Sequence, residues 1–207
     1  KLAGRYGTGM LSIAATNPAG FGVLDYNYNV WQEEAQRNGH EAPRDKWRLM
    51  GPMHIAETFE QAKANCRYGL QWVFNYLSHI IPVGDPNDPP PPTDYDEFID
   101  HANESGMMVI GTPEMAIAQI ERLIEKTGGF GVYLFLGADL ADHPATLRNY
   151  ELFADRVMPH FTGQIDPVTA SYDRVIGDGT RWVDAPLGAQ LTAIQAYEDE
   201  RAARAPS

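Results

Sequence analysis

The side chains that could carry out chemistry are few and widely spaced in this sequence. Its six histidines are His40, His54, His79, His101, His143 and His160. They do not stand at the spacings typical of metal ligands, so the sequence predicts no metal site. The single cysteine, Cys66, lies in a predicted helix, and we expect a buried structural thiol there rather than a nucleophile.

The common catalytic and nucleotide-binding motifs are also missing from the 207 residues. We find no glycine-rich dinucleotide fingerprint, no phosphate-binding P-loop and no Gly-x-Ser-x-Gly nucleophile elbow. Gly7-Thr8-Gly9 precedes a short apolar run and predicts a turn into a strand. The sequence therefore points away from enzymes that depend on these motifs.

One histidine stands where a functional side chain is expected. His54 lies in Gly51-Pro52-Met53-His54-Ile55, near the carboxyl end of a predicted parallel strand. In a barrel of parallel strands, that end carries the active site. His54 therefore either faces a pocket or is a buried histidine with satisfied hydrogen bonds, and the sequence leaves both alternatives open.

Composition and charge limit the kind of protein and its partners. Apolar residues make up 43% of the chain, charged residues 21%, and the formal net charge is −12. An acidic chain of this kind is not expected to bind nucleic acid or an anionic membrane, since both need a basic surface. No run is long enough to span a bilayer, and the lone cysteine suits a reducing compartment, so we expect a cytoplasmic protein.

Three apolar runs predict the strands that position any site. They are Met10–Ala14, Trp47–Ile55 and Gly131–Leu136, and helical patterns separate them. Strands that alternate with helices predict an α/β fold with a parallel sheet. We therefore expect the three runs to be adjacent parallel strands of one sheet.

The helices between the runs carry recognisable start and stop signals. Asn17-Pro18 and Thr112-Pro113 each predict an N-cap followed by the first helical residue. Thr58 opens a predicted helix that continues to about Leu77. Further helices are predicted from about Pro144 to Phe161 and, in the C-terminal part, from Ala189 to Ala203.

Residues 82 to 106 interrupt this pattern with a proline-rich stretch. Five prolines lie within residues 86 to 92, and proline fixes φ and lacks an N–H donor. The segment is predicted to be either a solvated linker or a lid over a binding site. We expect one domain over residues 1–161 that includes this insertion, and an extension over residues 162–207 with one helix.

Several short motifs, in order, resemble one enzyme family. They are Arg5 through Ile13, Asn38-Gly39-His40, Gly111-Thr112-Pro113-Glu114, Thr127-Gly128, Leu152-Phe153-Ala154 and Val157-Met158-Pro159. Together they look like the C-terminal half of the bacterial luciferase-like flavin-dependent monooxygenases. Residues 51–58 and the Ala138-Asp139 strand exit are closer to the limonene or alkanal monooxygenase branch than to the deazaflavin-dependent branch. The start at Lys1 likewise looks like the last turns of a helix whose beginning is missing.

The resemblance implies a fold, a cofactor and a site. It implies that the chain supplies the last three strands of a (β/α)8 TIM barrel. It also implies that the protein binds reduced FMN, activates dioxygen as a peroxyflavin and oxygenates a small apolar organic substrate. Met10, Ser12 and Ile13 would then line the flavin, while His54 and Gly137 would stand at the rim. The catalytic residues and the flavin-phosphate loop would lie in the missing N-terminal half.

Other functions on the same fold stay open from the sequence. The chain could be a non-catalytic luciferase-like subunit without flavin, or part of a deazaflavin-dependent oxidoreductase. The resemblance also implies a flavin reductase as the source of reduced flavin, and a homodimer of the complete protein. The substrate itself is not determined by these residues.

Overall fold

The computed structural model describes residues 1–80, 89–163, 166–177 and 184–204 of the chain. Its strands are β1 (Met10–Ser12), β2 (Trp47–Gly51), β3 (Met53–Ile55), β4 (Val109–Gly111) and β5 (Val132–Phe135). Its helices are α1 (Leu2–Arg5), α2 (Pro18–Gly22), α3 (Leu24–Arg37), α4 (Phe59–Cys66), α5 (Leu70–Ser78), α6 (Tyr95–Ser105), α7 (Pro113–Thr127), α8 (His143–Leu152), α9 (Met158–Thr162), α10 (Asp166–Gly177) and α11 (Asp184–Ala203). The chain divides into two compact units, Lys1–Phe161 and Thr162–Ser207.

A parallel sheet of order β1-β2-β5 forms the centre of the first unit. Met10 pairs with Trp47, and Arg48 pairs with Val132. The three apolar runs of the sequence are therefore neighbouring parallel strands, as predicted. Helices connect them, as the parallel arrangement requires.

The prediction of one continuous strand from Trp47 to Ile55 is wrong, because the strand is interrupted at Pro52. The Gly51 carbonyl accepts from the N–H of Leu136, which directly follows β5, whereas the Pro52 carbonyl accepts from the N–H of Val109, the first residue of β4. The chain thus leaves the first sheet and enters a second, two-stranded parallel sheet, β3-β4. The short strand β4 was not predicted from the sequence.

One face of the three-stranded sheet packs against helix α3. Leu24, Tyr28, Trp31 and Ala35 recur at helical spacing and are buried, as predicted. The Tyr28 ring stacks on Trp47 with 5.2 Å between centroids and meets Trp31 edge-on at 5.8 Å. Burial of such large rings is the main stabilising contribution of this layer.

A second hydrophobic cluster joins helices α4, α5 and α6 to strand β4. The predicted cap is confirmed, since the Thr58 hydroxyl accepts from the Gln61 N–H at 3.2 Å. The predicted single helix to Leu77 is wrong, because it breaks between Cys66 and Leu70. At the break, the Gly69 N–H donates to the Leu140 carbonyl at 3.2 Å.

The proline-rich insertion contains more structure than expected. Residues 82–88 of the predicted segment lie outside the described residues, but Tyr95–Ser105 forms helix α6. The Asp94 side chain caps α6 by accepting from two backbone N–H groups, and Gly106 ends it with φ at 72°. Tyr95, Phe98, Ile99 and Ala102 are buried, so this part of the insertion belongs to the core. The lid or linker alternative therefore does not apply to α6.

The later helices follow the predicted order with different boundaries. Helix α7 begins at Pro113, after the N-cap Thr112. It ends before its C-cap Gly128, whose φ is 69°. The helix predicted from Pro144 to Phe161 consists of α8, a π-helical segment at Phe153–Val157, and α9. The second unit contains α10 and α11 in its described residues, where the sequence predicted one helix. No side chain of α10 or α11 whose placement is described is buried.

The Gly69 position generates a stability prediction. A Cβ atom there would lie 1.8 Å from the Asp139 carbonyl oxygen, and backbone cannot move aside cheaply. We therefore expect Gly69→Ala to lower the free energy of unfolding by about 1–3 kcal/mol, measured by urea denaturation. Gly22→Ala is the matched control, because a Cβ at Gly22 meets nothing within 4 Å. Equal stability of the two variants would contradict this account of the helix break.

Candidate functional site

The carboxyl ends of β1, β2 and β5 meet at one edge of the three-stranded sheet. The chain continues there into residues 13–17 after β1, Pro52 after β2 and residues 136–142 after β5. Ligands of parallel α/β folds bind at this edge, because the strands end together and the following loops converge. Ile13 and Gly137, two of the predicted site residues, lie in these segments and are exposed.

The residues predicted to line the flavin do not all lie on one face of the sheet, because side chains alternate along a strand. Met10 and Ser12 turn towards the helices: Met10 packs against the α3 cluster, and the Ser12 hydroxyl accepts from Trp47 Nε1 at 3.1 Å. Leu11 points to the opposite face and is 47% exposed, and Ile13, just past the strand, is 62% exposed. The residues predicted to line the flavin included Met10 and Ser12 but not Leu11. The two-residue period of a strand already places Leu11 on the face opposite to both.

The opposite face of the sheet is uncovered in the described residues and is apolar apart from the exposed Arg48. Arg48, Met50, Val132 and Leu134 share this face with Leu11, since parallel pairing aligns Leu11 with Arg48 and Val132, and Met50 with Leu134. All of these side chains keep solvent exposure. A sheet with one buried face and one open apolar face offers a binding or docking surface.

An open cleft of about 300 Å³ lies beside strand β1. It is lined by Lys1, Met10, Leu11, Ser12, Ile13, Ala14, Gly20, Leu24, Asn27 and Val30. In the described part of the chain, β1 pairs only with β2, so the backbone groups of its outer edge are without a strand partner there. Such an edge can pair with a further strand.

His54 lies in the second sheet, not at the end of a strand of the first. It is 2% exposed, and its Nε2 atom is 3.1 Å from the Asn65 amide nitrogen. An amide N–H can only donate, so Nε2 accepts and the proton is assigned to Nδ1. Burial lowers the pKa of His54 to about 4, against the opposing effect of Asp142. These contacts describe a neutral, buried histidine, and they do not favour contact with a ligand.

A hydrogen bond and close packing connect the segments near the carboxyl edge. The Thr16 hydroxyl, after β1, donates to the Met107 carbonyl, before β4, at 2.8 Å. A Cβ at Gly51 would lie 2.4 Å from Thr16 Cγ2 and 2.5 Å from the Tyr133 hydroxyl, so only glycine fits. The Tyr133 hydroxyl is buried without a hydrogen-bond partner, and burial raises its pKa. It is therefore held protonated and unsuited to proton transfer near neutral pH. No sequence motif had singled out Thr16 or Tyr133.

Other candidate chemistry is not supported by the described residues. Within them, no group of three or more His, Cys, Asp or Glu side chains is arranged to hold a metal ion. Cys66 is buried, and burial raises the pKa of its thiol to about 12, which keeps it unreactive. Among the described helices, none combines the length and apolarity that crossing a bilayer requires.

A second concavity, of about 270 Å³, lies between helices α5 and α6. Among the described residues, its lining contains no ionisable side chain and consists of Gln71, Phe74, Asn75, Ser78, Pro91, Pro92, Thr93 and Phe98. Phe74 and Phe98 meet edge-on with 4.5 Å between ring centroids. An apolar pocket with a few neutral polar groups suits an uncharged organic molecule.

Known proteins are similar to this chain in sequence and in fold. No model of a protein family matches it. Limonene 1,2-monooxygenase of Rhodococcus erythropolis is 45% identical over 204 residues, which are 99% of this chain and 51% of that protein. The 4-hydroxyprotoasukamycin monooxygenase of Streptomyces nodosus subsp. asukaensis is 31% identical over 94% of this chain and 50% of that protein. The chain thus spans about half the length of the curated relatives it matches.

Solved structures show the same fold at lower identity. The oxygenating constituent of 3,6-diketocamphane monooxygenase from Pseudomonas putida, solved with FMN, aligns with a TM-score of 0.55 over 76% of this chain and 44% of that chain, at 23% identity. Monooxygenase RslO1 from Streptomyces bottropensis aligns with a TM-score of 0.58 over 78% of this chain and 44% of that chain, at 18% identity. The chain therefore shares the parallel α/β fold of these two structures. Limonene 1,2-monooxygenase is 45% identical along nearly the whole length of this chain, which confirms the resemblance to the luciferase-like monooxygenases found in its sequence.

The buried position of His54 generates a pH prediction. The pKa of His54 is about 4 in the folded state and about 6.5 in the unfolded state. Between these pH values the unfolded chain therefore binds more protons. The stabilising effect of neutral His54 is complete above pH 6.5 and is lost as the pH falls to 4, on the order of 3 kcal/mol in total. His54→Gln is the control, since glutamine does not titrate. In urea denaturation, the free energy of unfolding should fall more for the wild-type protein than for the variant between pH 7 and pH 4.5. The same pH dependence in both proteins would contradict this.

Proposed function

We propose that the chain is the C-terminal half of a (β/α)8 barrel whose last three strands are β1, β2 and β5. The completed protein is then a flavin-dependent monooxygenase. The observation that carries the proposal is the uncovered apolar face of a parallel sheet, in a chain that spans about half the length of its monooxygenase relatives. Further strands that pair with the outer edges would turn this face into a barrel interior.

Reduced FMN is the proposed cofactor, and it supplies the electrons that activate dioxygen. The surface of this chain fits the ring system of a flavin: Leu11 and Ile13 offer apolar contact at the carboxyl end of β1. The predicted flavin contacts are Met10, Ser12 and Ile13, and we propose separate roles for them. Ile13 would contact the ring directly, whereas Ser12 and Met10 would fix the strand through Trp47 and the α3 cluster.

The residues at the rim would shape the space around the cofactor. Gly137 follows β5 at the carboxyl edge, and a Cβ there would meet nothing within 4 Å, so the position leaves room for a ligand. Apolar side chains around the reacting atoms would exclude water, which otherwise diverts such oxidations into side reactions. His54 was also predicted at the rim, but its burial in the second sheet gives that role no support.

The proposed substrate is a small, uncharged, apolar organic compound. One relative is named for limonene and another for a diketocamphane, and the described lining of the pocket between α5 and α6 carries no charge. A separate flavin reductase would supply the reduced flavin, and the complete protein is proposed to be a homodimer. The cytoplasmic location stays a prediction from composition.

The proposal predicts flavin binding by the complete protein. FMN fluorescence should be quenched on titration with that protein. Ile13→Asp should weaken binding by about tenfold or more, because a carboxylate against the ring loses its hydration without a partner. Tyr26→Asp is the matched control, since Tyr26 is 69% exposed on α3, and it should bind FMN as wild type does.

Two results would change the assignment. Absence of FMN binding by the complete wild-type protein would favour a non-catalytic luciferase-like subunit. Tighter binding of a deazaflavin than of FMN would favour a deazaflavin-dependent oxidoreductase on the same fold. Product formation with reduced FMN, dioxygen and an apolar substrate would support the monooxygenase.

A further inference from the structure

Helix α5 is held at the carboxyl edge of the three-stranded sheet. The chain reaches it through β3 and α4, which continue from the carboxyl end of β2. At its start, the Gly69 N–H donates to the carbonyl of Leu140, in the segment that follows β5. Both connections place α5 beside the edge at which the proposed cofactor binds.

The composition of α5 is unusual for a helix with an exposed side. Residues 68–80 contain no Asp, Glu, Lys or Arg, whereas such residues make up 21% of the whole chain. Leu70 and Val73 are buried in the cluster with α4 and α6. A helix that is uncharged on all sides is normally covered on all sides, so its outer side is expected to be covered in the working protein.

The outer side of α5 presents two aromatic residues one helical turn apart. They are Trp72 and Tyr76, and we call them the aromatic ridge. Trp72 and Tyr76 are 67% and 54% exposed, and their rings lie parallel with 5.6 Å between centroids. Flat, preordered aromatic faces of this kind bind uncharged apolar molecules with little loss of side-chain freedom.

The surroundings of the ridge favour a small apolar ligand over a macromolecule. The neighbouring flank of α5 borders the uncharged pocket formed with Phe98 and the prolines before α6. The net charge of −12 disfavours nucleic acid and anionic lipid. The ridge and the described lining of this pocket carry no charged side chain, and they belong to a helix whose start is bonded to the segment that follows β5.

We propose that Trp72 and Tyr76 contact the apolar substrate of the monooxygenase and determine which substrates it accepts. The inference rests on the proposed function, because it places the substrate beside the flavin at the carboxyl edge. The ridge would pack against the hydrocarbon part of the substrate. It would hold the substrate in place and take no part in the chemical step.

The test uses the complete protein, reduced FMN and two probes, limonene and a diketocamphane. Trp72→Ala and Tyr76→Ala should each raise the KM for at least one probe by about tenfold, change the preference between the probes, and leave FMN affinity unchanged. Trp72→Phe should restore most of the affinity, since it keeps an aromatic face. Tyr26→Ala is the control for loss of an exposed aromatic residue outside the ridge.

A binding measurement without turnover complements the kinetics. Trp31 and Trp47 are 1% and 0% exposed, and the solvent-sensitive emission that is lost in Trp72→Phe is assigned to Trp72. Limonene or the diketocamphane should shift this emission to the blue as water leaves the indole.

The outcomes separate this inference from the proposed function. Loss of FMN binding by the wild-type protein overturns both. Normal FMN binding with unchanged KM in the ridge variants, or with no emission shift with either probe, overturns the substrate contact alone. Ridge variants that lose FMN affinity or dissociate into smaller species would show that protein covers the ridge, which also overturns it.

Discussion

The structure depends on the need to bury both faces of one small parallel sheet. Trp47 and Leu49 fill one face beneath α3 and are fully buried. The other face carries Leu11, Val132 and Leu134, which keep solvent exposure in the described residues. Covering such side chains stabilises a fold by about 1.5–3 kcal/mol each when burial is complete. The uncovered face is therefore the physical reason to propose that further strands complete a barrel.

The chain changes from one sheet to the other at Gly51-Pro52, and this change positions the elements that follow. Successive carbonyl groups there pair with opposite neighbours, Leu136 on one side and Val109 on the other. The chain consequently builds a second sheet and carries α4, α5 and α6 to the carboxyl edge of the first. The pocket between α5 and α6 and the aromatic ridge are therefore carried by elements that follow this switch.

The sequence predicted the features that depend on local patterns and missed those that depend on tertiary contacts. The spacing of Leu24, Tyr28 and Trp31 gave the α3 face, and apolar runs gave the three neighbouring strands. The break at Gly69 comes from the approach of Asp139, seventy residues away, which no local pattern encodes. For the site, the face on which Leu11 lies follows only once the strand pairing is known, and His54 lies in the second sheet.

The most direct test measures whether the open face is buried in the complete protein. Leu11→Cys and Val132→Cys can be labelled with a thiol reagent, because the natural Cys66 is buried and its thiol is unreactive. Both should react at least about a hundredfold more slowly than Tyr26→Cys in the native protein, and equally fast after unfolding. Labelling of Leu11→Cys and Val132→Cys as fast as Tyr26→Cys under native conditions would contradict the completed barrel.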